Sequence, residues 1–349
     1  MTQPIKTVIR FKGWAHPDFY ARYEREPDIE VLLIDSADTD GGWAGMQKAH
    51  LYQIGASRDE VAAHWHAAAP LLERAPNLLC ISTGGAGFDT VDVPACTAAG
   101  VLVVNQSGGN ARSVAEHTLG LMLDVTHRLS ECDRAMRTRQ RGFPREDLMG
   151  REISGRTMGL IGIGNVGRRV AALCRAFDMP VLAYDPYVGE KAVAERGAKK
   201  VGLDELLASA DFVSVHCPRN PETTGMMNAA AFAKMKPGAV FITTSRGGVH
   251  DEMALNDALE SGHLSGAGLD VWAPEPPPLD HPLLKRDNVV ATFHTAGVTQ
   301  EARQQMARYA ADQGVDVLAG KRPPRMVNPE VWPAYAKRFE AIMGFAPEA

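Results

Sequence analysis

The chain has 349 residues, 45% of them hydrophobic and 23% charged, which is enough length and apolar content for two buried cores. A net charge of −5, with no basic run except Arg134 to Arg145, excludes a nucleic-acid surface; that run is interrupted by Met136 and Phe143 and reads as a solvated or subunit-facing helix. The first residues lack a signal peptide's apolar core, no window approaches a membrane span, and the five cysteines form no C-x-x-C, so a reduced, cytoplasmic protein is expected.

In chain order, Lys6 to Phe11 and Ile29 to Ile34 read as strands flanking a helix around Pro17 to Glu26. His50 to Ile54 is a third strand. Ser57-Arg58-Asp59-Glu60 resembles a helix N-terminus, and the spacing predicts a helix from Val61 to Leu72. Leu78 to Ser82 is a strand that runs into Thr83-Gly84-Gly85-Ala86-Gly87-Phe88-Asp89, a loop whose backbone either turns or is approached closely. With Val101 to Val104 as a further strand, this is an α/β unit of its own. Ser113 to Arg128 is a long helix, apolar on most faces, with burial between units expected.

Thr157 to Pro186 is the stretch around which the second half of the chain is organised. A short apolar run from Met158 to Ile163 reads as a buried strand; Gly162, Gly164 and Gly167 form G-x-G-x-x-G; Val166 to Phe177 has helical spacing; and Pro180 to Tyr184 is a second strand ending in Asp185. The first glycine permits a tight turn, the second lets backbone approach a pyrophosphate, and the third lets the helix pack close to the strand. The helix N-terminus then points free N–H groups at the phosphates, and Asp185 can accept both ribose hydroxyls of an adenosine. Alternation continues with helices Glu190 to Arg196 and Leu203 to Ser209, strand Phe212 to Val215, helix Ala229 to Met235 and strand Ala239 to Thr243. Helix Met253 to Ser261, strands Gly266 to Leu269 and Asn288 to Ala291, and a last long helix from Gln300 to Ala319 complete the pattern.

Three polar residues lie just past strand ends, where open α/β sheets hold ligands: Arg246, Glu275 and His294. A 2-oxo acid needs a fixed cation for its carboxylate, which a planar guanidinium supplies. Reducing its carbonyl needs a proton as hydride arrives, and histidine titrates near neutrality. A glutamate beside the imidazole favours imidazolium and fixes its tautomer, and prolines on both sides of Glu275 would restrain that carboxylate. The His64-Trp65-His66 run reads as core or surface histidines, because alternate helical residues point apart and no Cys or acid completes a metal site; no metal is expected.

From about Leu78 to Asn328 the chain resembles the D-isomer-specific 2-hydroxyacid dehydrogenases, relatives of hydroxypyruvate, glyoxylate and phosphoglycerate dehydrogenases. The resemblance rests on GGAGFDTVD (Gly84 to Asp92), NARSVAEHTLG (Asn110 to Gly120), GLIGIGNVG, AYDP, HCPRNPETTG (His216 to Gly225), MKPGAVFITTSRGG (Met235 to Gly248), GAGLDVWAPEPPP and HTAG (His294 to Gly297), in order and well spaced. It implies an α/β fold of two doubly wound parallel-sheet domains: a Rossmann NAD-binding domain over 109–296, inserted in a flavodoxin-like substrate domain over 1–108 and 297–349, with the active site in the cleft between them. It implies that Arg246, Glu275 and His294 are catalytic, and that the Gly85-Ala86-Gly87 backbone, with Arg246 and His294, binds the substrate. NAD would be lined by Gly162, Gly164, Asn165, Val166, Gly167, Asp185, Cys217, Pro218, Thr244, Ser245, Asp270 and Gly297. The expected reaction is hydride transfer between NAD(H) and a small D-2-hydroxy acid/2-oxo acid pair, glyoxylate or hydroxypyruvate in type, in a homodimer joined around Arg134 to Gly155.

The chain departs from the family pattern in places. Phosphoglycerate-type members carry an arginine two residues before the carboxylate-clasping loop, where Thr83 stands here, which disfavours that alternative substrate. The formate-oxidising branch has glutamine at the position of Glu275. Two other readings are a dinucleotide-sensing corepressor of the same fold, disfavoured because long disordered arms are lacking, and an alanine dehydrogenase-like enzyme, which lacks the Arg246, Glu275, His294 order.

Overall fold

A computed structural model describes residues 5–138 and 144–348; Arg139, Arg141 and Phe143 of the basic stretch lie outside the described residues. The chain divides into two compact units, Met1–Asn110 with Thr299–Ala349, and Ala111–Val298. Each is an α/β unit whose strand pairs, among the described residues, are all parallel.

The first unit holds β1 (Lys6–Phe11), β2 (Ile29–Ile34), β3 (Leu51–Ile54), β4 (Cys80–Thr83) and β5 (Leu102–Val104), in the order β2-β1-β3-β4-β5, the flavodoxin-like arrangement. Period-2 alternation sorts the strands onto two cores. Val8, Leu51, Cys80, Leu102 and Val104 face the helices Gln300–Leu318 and Trp332–Met343. Ile9, Tyr52, Ile54, Ile81 and Val103 face the other layer, with Met46, Trp65, Leu71 and Cys96.

The expected helix from Val61 to Leu72 does not form. The chain instead makes two short 3-10 turns, Arg58–Glu60 and Ala63–Trp65, and a helix, Ala69–Arg74. The capping box of Ser57 and Glu60 is present, but it caps only the first turn. Ala67 then pairs with Val91, its N–H donating to Thr90 O and its carbonyl accepting from Asp92 N–H, which takes its backbone groups away from a helical ladder. Trp65 is fully buried against Trp43, and Pro70 suits a first turn rather than a helix interior. His66 contacts Val61 O at 3.0 Å through Nε2, and His64 lies against the Trp65 ring. The helix Thr39–Met46 has no periodic signal; two of its three glycines abut Trp65 and Ile9, where larger side chains would not fit.

The second unit holds β6 (Met158–Ile161), β7 (Val181–Tyr184), β8 (Lys199–Lys200), β9 (Phe212–Val215), β10 (Val240–Thr243), β11 (Gly266–Leu269) and β12 (Val289–Ala291), in the order β12-β11-β10-β9-β6-β7-β8. This is the Rossmann order with one added strand, and the strand order reverses between β6 and β9, which are parallel. One face carries Ile161, Val213, Val215, Phe241 and Leu269 under the helices Leu203–Ser209, Ala229–Lys234 and Glu252–Glu260; the other carries Met158, Leu160, Phe212 and Ile242 with Leu119, Leu121 and Met122 of the helix Ala111–His127. Of the basic stretch, Arg134 pairs with Asp287 and Arg137 with Asp133.

The glycines of β11 admit the long helix. A Cβ on Gly268 would lie 2.8 Å from Leu121 Cβ, and one on Gly266 2.6 Å from Val125 Cγ1. Gly268→Val therefore overpacks a fully formed interface and is expected to lower stability by ~1–3 kcal/mol, read as a reduced urea midpoint at unchanged m-value.

Candidate functional site

The glycine turn follows β6 and abuts the chain leaving β9, at the point where strand order reverses. Gly162 has φ +92°, and a Cβ there would sit 3.0 Å from Cys217 N. A Cβ on Gly167 would fall 2.2 Å from Gly162 O, so only glycine lets the helix Gly167–Ala176 start this close to the strand. At Gly164 an added Cβ would meet nothing within 4 Å, leaving open the face a phosphate needs. No side chain caps the helix at Val166; the Arg168 and Arg169 N–H groups donate to Gly164 O at 3.2 Å and Val166 O at 2.8 Å, and the positive end of the helix faces the turn, where an anion is favoured. Arg168 Nη2 donates to Asn165 Oδ1 at 2.9 Å beside the turn. Asp185, at the tip of β7, accepts from Ile163 N–H at 3.1 Å and Tyr187 N–H at 3.0 Å, which ties the acid to the glycine turn. These residues fit a dinucleotide.

Other expected cofactor contacts line the same strand ends. Cys217 is partly buried, and burial pushes its thiol up to about 11, so it is present as a thiol. Pro218 O accepts from the Thr223 hydroxyl at 2.6 Å. Thr244 Oγ1 shares a hydrogen with Thr118 Oγ1 at 3.1 Å, and Ser245 Oγ with Thr243 Oγ1 at 3.2 Å. Gly297 lies in the turn closed by Val298 N–H to Thr295 O.

Glu275 and His294, nineteen positions apart in the chain, meet: Nδ1 of His294 lies 2.9 Å from Glu275 Oε2. The other carboxylate oxygen accepts Trp272 N–H at 2.9 Å. Nδ1–H is thereby committed to the glutamate, and Nε2 is left as the atom that can exchange a proton. The hydrogen bond that His294 donates to Glu275 raises the His294 pKa above its ordinary value, against burial and the Arg246 charge, which oppose it. Burial pushes Glu275 up, but the His294 hydrogen bond and charge, Trp272 N–H and Arg246 outweigh it and hold the carboxyl below its ordinary value. Arg246, partly buried after β10, donates Nη1–H to Ser245 O at 2.7 Å, and its charge reaches both partners.

Asp270 has a part the sequence did not reveal. Its carboxylate is fully buried and accepts from Thr292 Oγ1 at 2.6 Å, Thr295 N–H at 2.9 Å and Ala296 N–H at 3.0 Å, while its carbonyl accepts His294 N–H at 2.7 Å. These bonds hold His294 at φ +47°, a left-handed conformation that costs a non-glycine residue ~1–3 kcal/mol. His117 joins the cluster, its Nε2 3.0 Å from Thr292 Oγ1. No sequence signal links these residues, because the contacts run between strand ends far apart in the chain.

In the first unit, the loop after β4 turns its carbonyls inward: Gly85 O accepts from Gln106 N–H at 2.8 Å and from Thr83 Oγ1 at 3.2 Å, and Ala86 O from Asn105 Nδ2 at 2.9 Å. Among the described residues no acceptor takes the N–H groups of Gly85, Ala86 and Gly87, an arrangement suited to a carboxylate. The nearby Arg58 donates Nε–H to Asp89 O at 3.0 Å.

An open parallel sheet with a glycine turn at its switch point and an acid at the next strand tip defines a dinucleotide-binding α/β protein. Residues 119–296 match the family model described as "D-isomer specific 2-hydroxyacid dehydrogenase, NAD binding domain". The chain belongs to that family. It is 41% identical over 278 residues to a D-3-phosphoglycerate dehydrogenase of Archaeoglobus fulgidus, covering 79% of this chain and 52% of that one. It is 42% identical over 268 residues to a glyoxylate reductase of Thermofilum pendens, covering 75% and 78%. The solved D-lactate dehydrogenase of Aquifex aeolicus, complexed with NAD and lactic acid, superposes with TM-score 0.77 at 29% identity over 92% of this chain and 98% of that one. The chain spans about half the length of the phosphoglycerate dehydrogenases it matches.

Proposed function

We propose that this protein transfers a hydride between NAD(H) and a small D-2-hydroxy acid/2-oxo acid pair of the glyoxylate or hydroxypyruvate type. The observation that carries this reading is the 2.9 Å His294–Glu275 pair beside Arg246, in the same unit as a dinucleotide turn. NAD(H), when bound, supplies the hydride or accepts it. Arg246 holds the substrate's carboxylate and polarises its carbonyl. In reduction, His294 gives the proton on Nε2 to the carbonyl oxygen; in oxidation it takes the hydroxyl proton. Glu275 fixes the imidazole and supports its cationic form.

Thr83 beside the loop, its hydroxyl committed to Gly85 O, and Arg58 turned to the Asp89 carbonyl support an unphosphorylated substrate. A phosphorylated substrate is the second reading, favoured by the relatives named phosphoglycerate dehydrogenase. Absorbance at 340 nm with NADH and glyoxylate, hydroxypyruvate, pyruvate, bulkier 2-oxo acids and phosphohydroxypyruvate separates the two. Turnover is expected with the small acids; tight NADH binding without turnover on any of them would make the protein a sensor instead.

The carboxylate of Asp185 repels a 2′-phosphate, so kcat/KM should favour NADH over NADPH by at least tenfold, ~1.4 kcal/mol. Equal use of NADPH would refute it.

The raised His294 pKa sets the pH dependence. Reduction needs the imidazolium, which is lost as pH rises through the raised value, so the reduction rate falls on the alkaline side while oxidation gains there. Glu275→Gln should shift the alkaline limb of reduction to lower pH, and His294→Ala should cost ~10²–10⁴-fold in kcat with NADH binding kept. An unmoved limb in Glu275→Gln, with His294→Ala still active, would place the proton donor elsewhere.

The assembly we propose is a homodimer through the segment around Arg134 to Gly155. Light scattering after size exclusion should give twice the chain mass at micromolar concentration; a monomer would reject it.

A further inference from the structure

Behind the His294–Glu275 pair stands a second acid–imidazole pair. Glu252, in the first turn of the helix Glu252–Glu260, turns its carboxylate inward, where it is only 9% exposed. One oxygen accepts Ala273 N–H at 2.7 Å, and the other lies 3.0 Å from His281 Nε2. His281 is mostly buried, edge-on to the Trp272 ring, and its Nδ1 accepts Leu283 N–H at 3.3 Å. With Nδ1 accepting, the ring proton sits on Nε2 and is donated to Glu252. Consecutive backbone N–H groups are therefore held by two different carboxylates: Trp272 by Glu275, Ala273 by Glu252.

We propose that Glu252 and His281 are positioning residues for the acid–base pair: they lock the Trp272–Ala273 segment so that its N–H holds Glu275 against His294. This deepens, and rests on, the proposed dehydrogenase reading. An acid in a first helical turn ordinarily sits in solvent near the free N–H groups, and nothing in the helix requires Glu252 to be buried. Desolvating a carboxylate is costly unless it is hydrogen-bonded and paired, and here both oxygens are used, one on the segment that orients Glu275. Gly247 closes the other side: a Cβ there would lie 1.8 Å from Trp272 O, so the segment cannot move toward the Arg246 strand end.

The groups facing Glu252 are Ala273 N–H, His281 and the Glu275 charge; His250, close to His281, is buried and pushed down to about 4, so it brings no charge. Burial pushes the Glu252 carboxyl up, so its effect on His294 runs through the backbone: removing it frees Ala273 N–H and loosens Glu275 from the imidazole, which disfavours imidazolium at His294.

The test uses Glu252→Ala and His281→Asn in the whole chain; asparagine keeps a capping acceptor for Leu283 N–H, while its shorter side chain places no donor at the Nε2 position that meets Glu252. Three quantities are read: kcat and KM for a 2-oxo acid across pH, NADH affinity by fluorescence, and the His294 titration midpoint by NMR of the ¹⁵N-histidine-labelled apo enzyme. Expected are a kcat loss of ~10 to 10²-fold at unchanged NADH affinity, an alkaline limb displaced to lower pH, and a lowered His294 midpoint, in both variants. Lower thermal stability with kcat and the His294 midpoint at wild-type values would make the pair a fold element only and overturn the proposal. Should Glu252→Ala not fold, His281→Asn decides by the same readings. A wild-type enzyme that reduces no 2-oxo acid would defeat the functional reading alone, since the His294 titration needs no substrate.

Discussion

The backbone of Trp272 and Ala273 is the joint on which the catalytic-type residues of the second unit depend. Trp272 N–H holds Glu275, Ala273 N–H holds Glu252, the Trp272 indole N–H donates to Thr292 O at 2.9 Å, and Gly247 lies too close to Trp272 O for any side chain. The chain leaving β11 is thereby registered against those leaving β10 and β12. Arg246, Glu275 and His294 each sit on one of these exits, so their mutual geometry is set by backbone contacts rather than by long flexible side chains. Such bonds are worth more here than at the surface, because a buried donor left without its partner costs ~1–3 kcal/mol.

Asp270 applies the same logic to the histidine. A fully buried carboxylate would be prohibitive alone, but two backbone N–H groups and a hydroxyl satisfy it. All three donors belong to the strand exit that carries His294. The left-handed backbone at His294 is therefore over-determined: relaxing it would strip a buried charge of its partners. Asp270 was expected among the cofactor contacts, and its internal bonds make it first a brace for the imidazole.

The first unit is built from both ends of the chain, and polar bonds join them. Asn328 is fully buried, accepting Val103 N–H at 2.8 Å and donating to Thr97 Oγ1 and Val101 O; Gln313 donates to Gln106 Oε1 and Asn105 O. These contacts pin β5 and the chain just after it to the returning C-terminal segment. Gln106 in turn holds the carbonyls of Thr83 and Gly85, so the loop that carries the Gly85 to Gly87 amides is supported from the far end of the sequence.

The sequence by itself determined most strands, because period-2 alternation and short apolar runs are local properties; β1, β2, β9 and β11 fall at the expected residues. It also determined the glycine turn, where each glycine answers a steric demand set by the strand, the turn and the helix it joins. Arg246, Glu275 and His294 were legible only as polar residues past strand ends and through the family pattern. What tertiary structure alone decided is non-local. The Val61 to Leu72 helix gave way because Ala67 found a partner in Val91, and Thr39–Met46 became helical around glycines that make room for Trp65 and Ile9. Glu252 and His281 look in the sequence like a first-turn acid and a residue before a proline. Only the folding of β11 between β10 and β12 brings their side chains under the Trp272–Ala273 backbone, where burial turns ordinary polar residues into fixed partners.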